Sequence, residues 1–140
     1  MHRVVLDTNV IVSGLRSRGS ASHEVLRRVA DGSFALVLSV PLAIEYESVL
    51  KRDTGGLGFR AQDVDVVVDY LCSVAEHRSI WFLWRPILPD PKDDMLLELA
   101  VEAGCDTIIT FNTRHFGLTA RFGVRTVTPR EFLTALRSST

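Results

Sequence analysis

Short, uniformly apolar runs alternate along this chain with longer segments in which apolar residues recur every third or fourth position. The runs Arg3–Leu6, Phe34–Leu38, Ile80–Trp84, Thr107–Thr110 and Val124–Val127 read as strands. The longer segments read as amphipathic helices. Asn9–Leu15 is followed by a polar loop, Arg16–Ser20. Ser22 then stands as an N-cap for a helix to Asp31, which Gly32 stops. Val25, Leu26, Val29 and Ala30 supply that helix with its apolar face. Pro41 opens a helix that runs to Lys51, at a first-turn position where its missing N–H costs nothing. Gly55, Gly56 and Gly58 predict a flexible loop. Beyond it, Ala61–Glu76 forms a long helix with Val64, Val67, Val68, Leu71, Cys72 and Ala75 facing inward. The proline-rich Arg85–Lys92 predicts an extended loop before a helix over Asp93–Ala103. Thr128, Pro129 and Glu131 form a capping box that starts a last helix, ending near Arg137.

Strands without polar alternation are buried on both faces. Their regular exchange with helices predicts an α/β fold: one central parallel β-sheet flanked by helices on both faces. A length of 140 residues fits a single domain over 1–140. In such folds, ligands sit beyond the carboxyl ends of the strands. That rule directs attention to Asp7, to Asp90–Asp94 and to Thr110–His115.

Composition narrows the function classes. Lys and Arg total 16 against 17 Asp and Glu, so bulk charge is not what would hold a nucleic acid. No apolar run approaches the roughly 18 residues of a membrane-spanning helix, so no membrane role is expected. Arg3 and Asp7 interrupt the amino terminus too soon for a secretory signal, and a cytoplasmic protein is expected. Cys72 and Cys105 lack metal-site spacing and read as small apolar residues in a reducing compartment.

Three carboxylates stand where surface charge does not belong. Asp7 ends the first strand and is followed by Thr8 and Asn9, which can orient a carboxylate; it could equally cap the next helix. Glu45 aligns with Leu42 and Val49 on the apolar stripe of its helix, unless it reaches along the helix edge to solvent. Glu47 falls on another, solvated face. At about 100° per residue, Asp93 points with Leu96, Leu97 and Ala100, whereas Asp94, Glu98 and Glu102 form a polar stripe on the other side. First-turn dipole stabilisation would also explain Asp93. Asp90, three residues earlier, could approach from above.

Acids gathered from separate segments repel one another and shift each other's pKa values. A hard divalent cation relieves this, and all-oxygen ligation favours Mg²⁺ or Mn²⁺. Such an ion polarises a phosphate oxygen and activates water. No His or Cys set fits zinc, and no glycine-rich loop fits a P-loop or a dinucleotide site.

The ordered motifs V-V-L-D-T-N-V-I-V-S at Asp7, S-V-P-L-A-I-E-Y-E at Glu45, D-P-K-D-D-M-L-L-E at Asp90–Glu98 and D-T-I-I-T-F-N-T-R-H-F at Thr110–Asn112 resemble a PIN domain. The likeness is greatest to the VapC-like toxin components of prokaryotic type II toxin–antitoxin systems, in the subgroup with a D-P-x-D-D signature. It spans nearly the whole chain. It implies a parallel sheet and a Mg²⁺- or Mn²⁺-dependent endoribonuclease whose three core acids are Asp7, Glu45 and Asp93. Asp7 and Asp93 would hold the ion, and Glu45 would complete its shell or orient the attacking water. Asp90, Thr8, Asn9 and Thr110 match accessory polar positions. Where the family often has a further Asp, this chain has Asn112, which brings an oxygen but no charge; His115 is the nearby alternative. Turn chemistry alone would also explain both. The resemblance further implies an RNA substrate, an antitoxin partner and a homodimer. The contact surface would be exposed apolar residues on the Pro41–Lys51 and Ala61–Glu76 helices. Arg16, Arg18 and Arg114 are candidates for RNA contact, or are simply solvated.

Two other readings compete with a toxin. Asn112 is compatible with a catalytically weak PIN-fold binding or scaffold module, and a housekeeping RNA-processing factor would carry the same acids. A phospho-acceptor signalling domain is disfavoured, because Lys51 and Lys92 are the sole lysines and neither follows a late strand.

Overall fold

The computed structural model describes residues 1–80, 88, 90–117 and 119–138, with the side chain of His115 outside that set. Strands β1 (Arg3–Leu6), β2 (Ala35–Leu38), β3 (Glu76–His77), β4 (Thr107–Ile109) and β5 (Arg125–Val127) form one sheet in the order β3-β2-β1-β4-β5. Every pairing is parallel, as the uniformly apolar runs predict. Successive strand residues point to opposite faces, and Val4, Val5 and Leu6 are all fully buried. Both faces of β1 are therefore covered.

Helices α1 (Thr8–Arg16), α2 (Ala21–Ala30), α3 (Val40–Arg52), α4 (Thr54–Leu57), α5 (Ala61–Val74), α6 (Pro91–Glu102) and α7 (Pro129–Ser138) connect and cover the strands. The chain winds from β1 through β2 to β3 on one side and reaches β4 and β5 on the other. The order of strands therefore reverses between β1 and β4, where a doubly wound sheet opens a crevice at its carboxyl edge.

Several details differ from the sequence expectations. Ser20, not Ser22, caps α2: its hydroxyl accepts the His23 N–H at 3.1 Å. Ser22 is instead buried where α2 crosses α1. A Cβ on Gly14 of α1 would lie 3.1 Å from the Ser22 carbonyl oxygen and closer still to Leu26, so glycine permits this approach. On the far side of α2, Ala30 is exposed. The glycines expected to form a loop lie largely in α4, whose start is tied down by an ion pair between Arg16 and Asp53.

The long helix stops at Val74, because Ala75 is already extended and leads directly into β3. Glu76 is gripped there by Arg3, at 2.9 Å. The third strand is thus Glu76–His77. Most of the expected Ile80–Trp84 strand, and of the loop that follows it, lies outside the described residues. Glu98 is buried rather than part of a solvated stripe, since α6 is enclosed all the way round from Leu96 to Ala100. Asp94 is likewise half-buried, and its Oδ1 accepts the Leu88 N–H at 2.9 Å. Both cysteines are free; burial pushes the Cys105 thiol up to about 11, so it stays protonated.

Candidate metal centre

Asp7 follows Leu6 directly, so its side chain emerges at the carboxyl end of the central strand. The N–H groups of Asp7 and Thr110 continue the ladders, donating to the carbonyls of Ile109 and Val127 at 2.9 Å. These bonds fix Asp7 and Thr110 at the carboxyl ends of β1 and β4. The Thr110 hydroxyl donates to Asp7 Oδ2 at 2.7 Å and accepts the Asn112 N–H at 3.0 Å. One fully buried threonine therefore orients the carboxylate and shapes the turn that carries Asn112.

Asp7 occupies the N-cap position of α1, yet its side chain makes no capping hydrogen bond there. Burial raises its carboxyl above the ordinary 3.8. The Thr110 hydroxyl and the nearby Asn9 and Thr8 amides pull the other way, and the charge of Asp90 adds to the rise. Asn9 braces the same turn from the other side, its Oδ1 accepting the Phe111 N–H at 3.4 Å.

Helix α3 brings Glu45. Ser39 caps this helix through the Leu42 N–H at 3.2 Å. Leu42, Tyr46 and Leu50 are buried one turn apart, which leaves Glu45 at the edge of the apolar stripe, half-buried and facing the cleft. Tyr46 was readable from the sequence only as a core residue of that stripe. Its hydroxyl in fact donates to the Leu6 carbonyl at 2.5 Å, joining the helix of Glu45 to the residue before Asp7.

Helix α6 brings the other acids. Asp90 is its N-cap, accepting the Lys92 N–H at 2.9 Å, and Pro91 fills the first helical position. Asp93 is buried on the inner face, as the wheel predicts, while Asp94 turns toward Leu88.

Asp7, Thr8, Asn9, Glu45, Asp90 and Asp93 share one open cleft of about 190 Å³, with Asn112 at its rim. Lys92 lines it too, with its Nζ 3.3 Å from Glu45 Oε1. Sequence reasoning passed over this lysine; the signal was there, a cation inside the acidic D-P-K-D-D run. Arg16 is engaged with Asp53, and neither Arg18 nor Arg114 lines the cleft, although both are exposed. The side chain of His115 lies outside the described residues.

The donor set is all oxygen, which suits a hard divalent cation rather than zinc. The donors do not stand as a ready-made centre: among the described residues, no three His, Cys, Asp or Glu side chains are grouped closely enough to hold an ion. The residue types fit such an ion, and side-chain movement would have to bring them together.

The fold is similar to that in the crystal structure of VapBC2 from Rickettsia felis bound to a DNA fragment from their promoter. The TM-score is 0.61 at 13% sequence identity, covering 89% of this chain and 98% of that one. No curated protein matches the chain in sequence. A family model described as "PIN domain" matches residues 3–114, a span that includes Asp7, Glu45, Asp90, Asp93 and Asn112. The chain belongs to the PIN-domain family.

Proposed function

We propose that this protein is a divalent-metal-dependent endoribonuclease, the toxin of a toxin–antitoxin pair, acting as a single PIN domain in the cytoplasm. The observation that carries the reading is the convergence of Asp7, Glu45, Asp90 and Asp93 on one cleft at the strand-order reversal between β1 and β4. Asp7, oriented by Thr110, and Asp93, fixed in the first turn of α6, are the residues that would hold the ion. When bound, Mg²⁺ or Mn²⁺ supplies charge neutralisation at a phosphodiester and acidifies a water. Glu45, half-buried at the cleft, would complete the shell of that ion or orient the water. Asn112 at the rim offers an amide donor and acceptor to the substrate backbone. Thr8 and Asn9 hold the turn against which the substrate lies. Arg18 and Arg114 are left for weaker RNA contacts outside the cleft, where Arg16 is already paired.

The likeness to VapBC2 supports an antitoxin partner. Val40 and Ile44 on α3 and Val66, Tyr70 and Val74 on α5 are exposed apolar residues on two helices that pack together. They form the surface we assign to that partner or to a homodimer. No helix among the described residues is long and apolar enough to cross a membrane.

The test is cleavage of a structured RNA with and without Mn²⁺, comparing wild type with Asp93→Asn. Metal-dependent cutting by wild type and its loss in the variant are expected. No cutting by wild type, or equal cutting by both, overturns the enzyme. Absence of cutting by wild type would favour a binding module, the reading that the uncharged Asn112 supports.

A further inference from the structure

Lys92 stands where helix physics disfavours it. It occupies the second position of α6, in a first turn whose other charged residues are Asp93 and Asp94, and there the macrodipole repels a cation. Its ammonium reaches back into the cleft and rests on Glu45 Oε1 at 3.3 Å. Among the described residues it is the one cation lining a cleft with four carboxylates. Its side chain is 61% exposed while that of Glu45 is 22% exposed, so the flexible partner is the lysine.

Glu45 drawn toward a divalent ion would loosen its hold on this ammonium, since ion and lysine would compete for one carboxylate. A lysine set free at the rim of a metal-bearing cleft is placed to meet the oxyanion of an incoming phosphodiester. We propose that Lys92 is an exchangeable counter-ion: it neutralises Glu45 in the metal-free protein and moves to a substrate phosphate once the cleft is loaded. The inference rests on the nuclease reading for its substrate class. It assigns a residue of this chain, rather than the ion alone, to phosphate recognition.

Two measurements on Lys92→Gln and Lys92→Arg test it without relying on turnover. By calorimetric titration, Lys92→Gln binds Mn²⁺ about two- to fivefold more tightly than wild type, the size of one part-exposed ion pair. Lys92→Arg stays close to wild type. For a non-cleavable 2′-O-methyl RNA oligonucleotide in Ca²⁺, Lys92→Gln lowers affinity and reduces the log–log salt slope by about 0.7, the value for one lost phosphate contact on a single strand. Lys92→Arg retains the slope.

Unchanged Mn²⁺ affinity in Lys92→Gln, an unchanged salt slope, or absence of Mn²⁺ binding by wild type each overturns the proposal. Failure of the nuclease reading looks different: wild type binds Mn²⁺ and the oligonucleotide, yet cuts no RNA.

Discussion

Tyr46→Phe isolates a single strut between the two halves of the cleft. The ring is fully buried and its volume is kept by phenylalanine, so the perturbation is the loss of one hydroxyl. In a parallel strand the polar groups of successive residues face alternate sides. The Asp7 N–H bonds to β4, so the Leu6 carbonyl faces β2. The β1–β2 register covers only Arg3 and Val4, so at Leu6 this ladder has run out and the Tyr46 hydroxyl takes the carbonyl at 2.5 Å. Removing it loses a hydrogen bond and leaves a buried acceptor unsatisfied, which costs about 1–3 kcal/mol. For a 140-residue chain the unfolding entropy is roughly 0.3 kcal/mol/K, so Tm falls by about 3–10 °C.

The assay is a calorimetric melt at neutral pH, repeated at alkaline pH. Burial, the first cause, and the nearby Asp7 charge raise the Tyr46 phenol well above its ordinary 10.0. The folded protein therefore retains a proton that the unfolded chain releases, and wild-type stability falls as pH rises above about 10. Phenylalanine lacks this proton, so the gap between the two proteins narrows there. A Tm within 1 °C of wild type at neutral pH, or a constant gap at high pH, refutes the strut.

Asp7→Asn keeps the acceptor for Thr110 but removes a buried charge. Because burial raises the Asp7 carboxyl, its ionisation weakens the fold as pH climbs above the ordinary 3.8; the metal-free variant should therefore melt higher than wild type at neutral pH, yet gain nothing from Mn²⁺. A lower melting temperature in differential scanning fluorimetry would contradict this. Ser22→Ala removes a hydroxyl that is buried with no hydrogen-bond partner among the described residues, and should stabilise the protein by about 1 kcal/mol in urea unfolding. A loss of stability would show that the α1–α2 crossing depends on the serine.

The sheet was legible because each core strand is a run of apolar residues with no polar alternation, and only a doubly covered parallel sheet buries both faces. The inward turn of Asp93 was legible because helical spacing alone sets which way it faces. What failed to show depended on tertiary context. Ser20 and Ser22 are equally good caps by residue type, and the choice follows from where α2 begins to pack on Gly14. The glycines of α4 have poor helix propensity, but the Arg16–Asp53 pair and the half-buried Leu57 hold that turn in place. Glu98 followed the wheel onto a polar stripe, yet a helix packed on β1 and β4 and enclosed from Leu96 to Ala100 has no solvent face there. Tyr46 matched the core pattern, and its hydroxyl bond spans 40 positions, beyond any local signal.

The near balance of charge along the chain conceals a sharply uneven distribution. Among the described residues, four carboxylates line the cleft beside one lysine, and that lysine already sits on one of them. A bare cleft of this kind repels a phosphodiester, and the burial of Asp7 opposes the ionised form an ion would need. Neither feature serves stability: an asparagine at position 7 would keep the Thr110 hydrogen bond without the buried charge. Under the proposed metal-dependent reading, that unfavourable arrangement is the state of a cation site before it is loaded. Once a cation is bound, the same four acids change sign in their effect, from repelling the phosphate to holding the charge that attracts it.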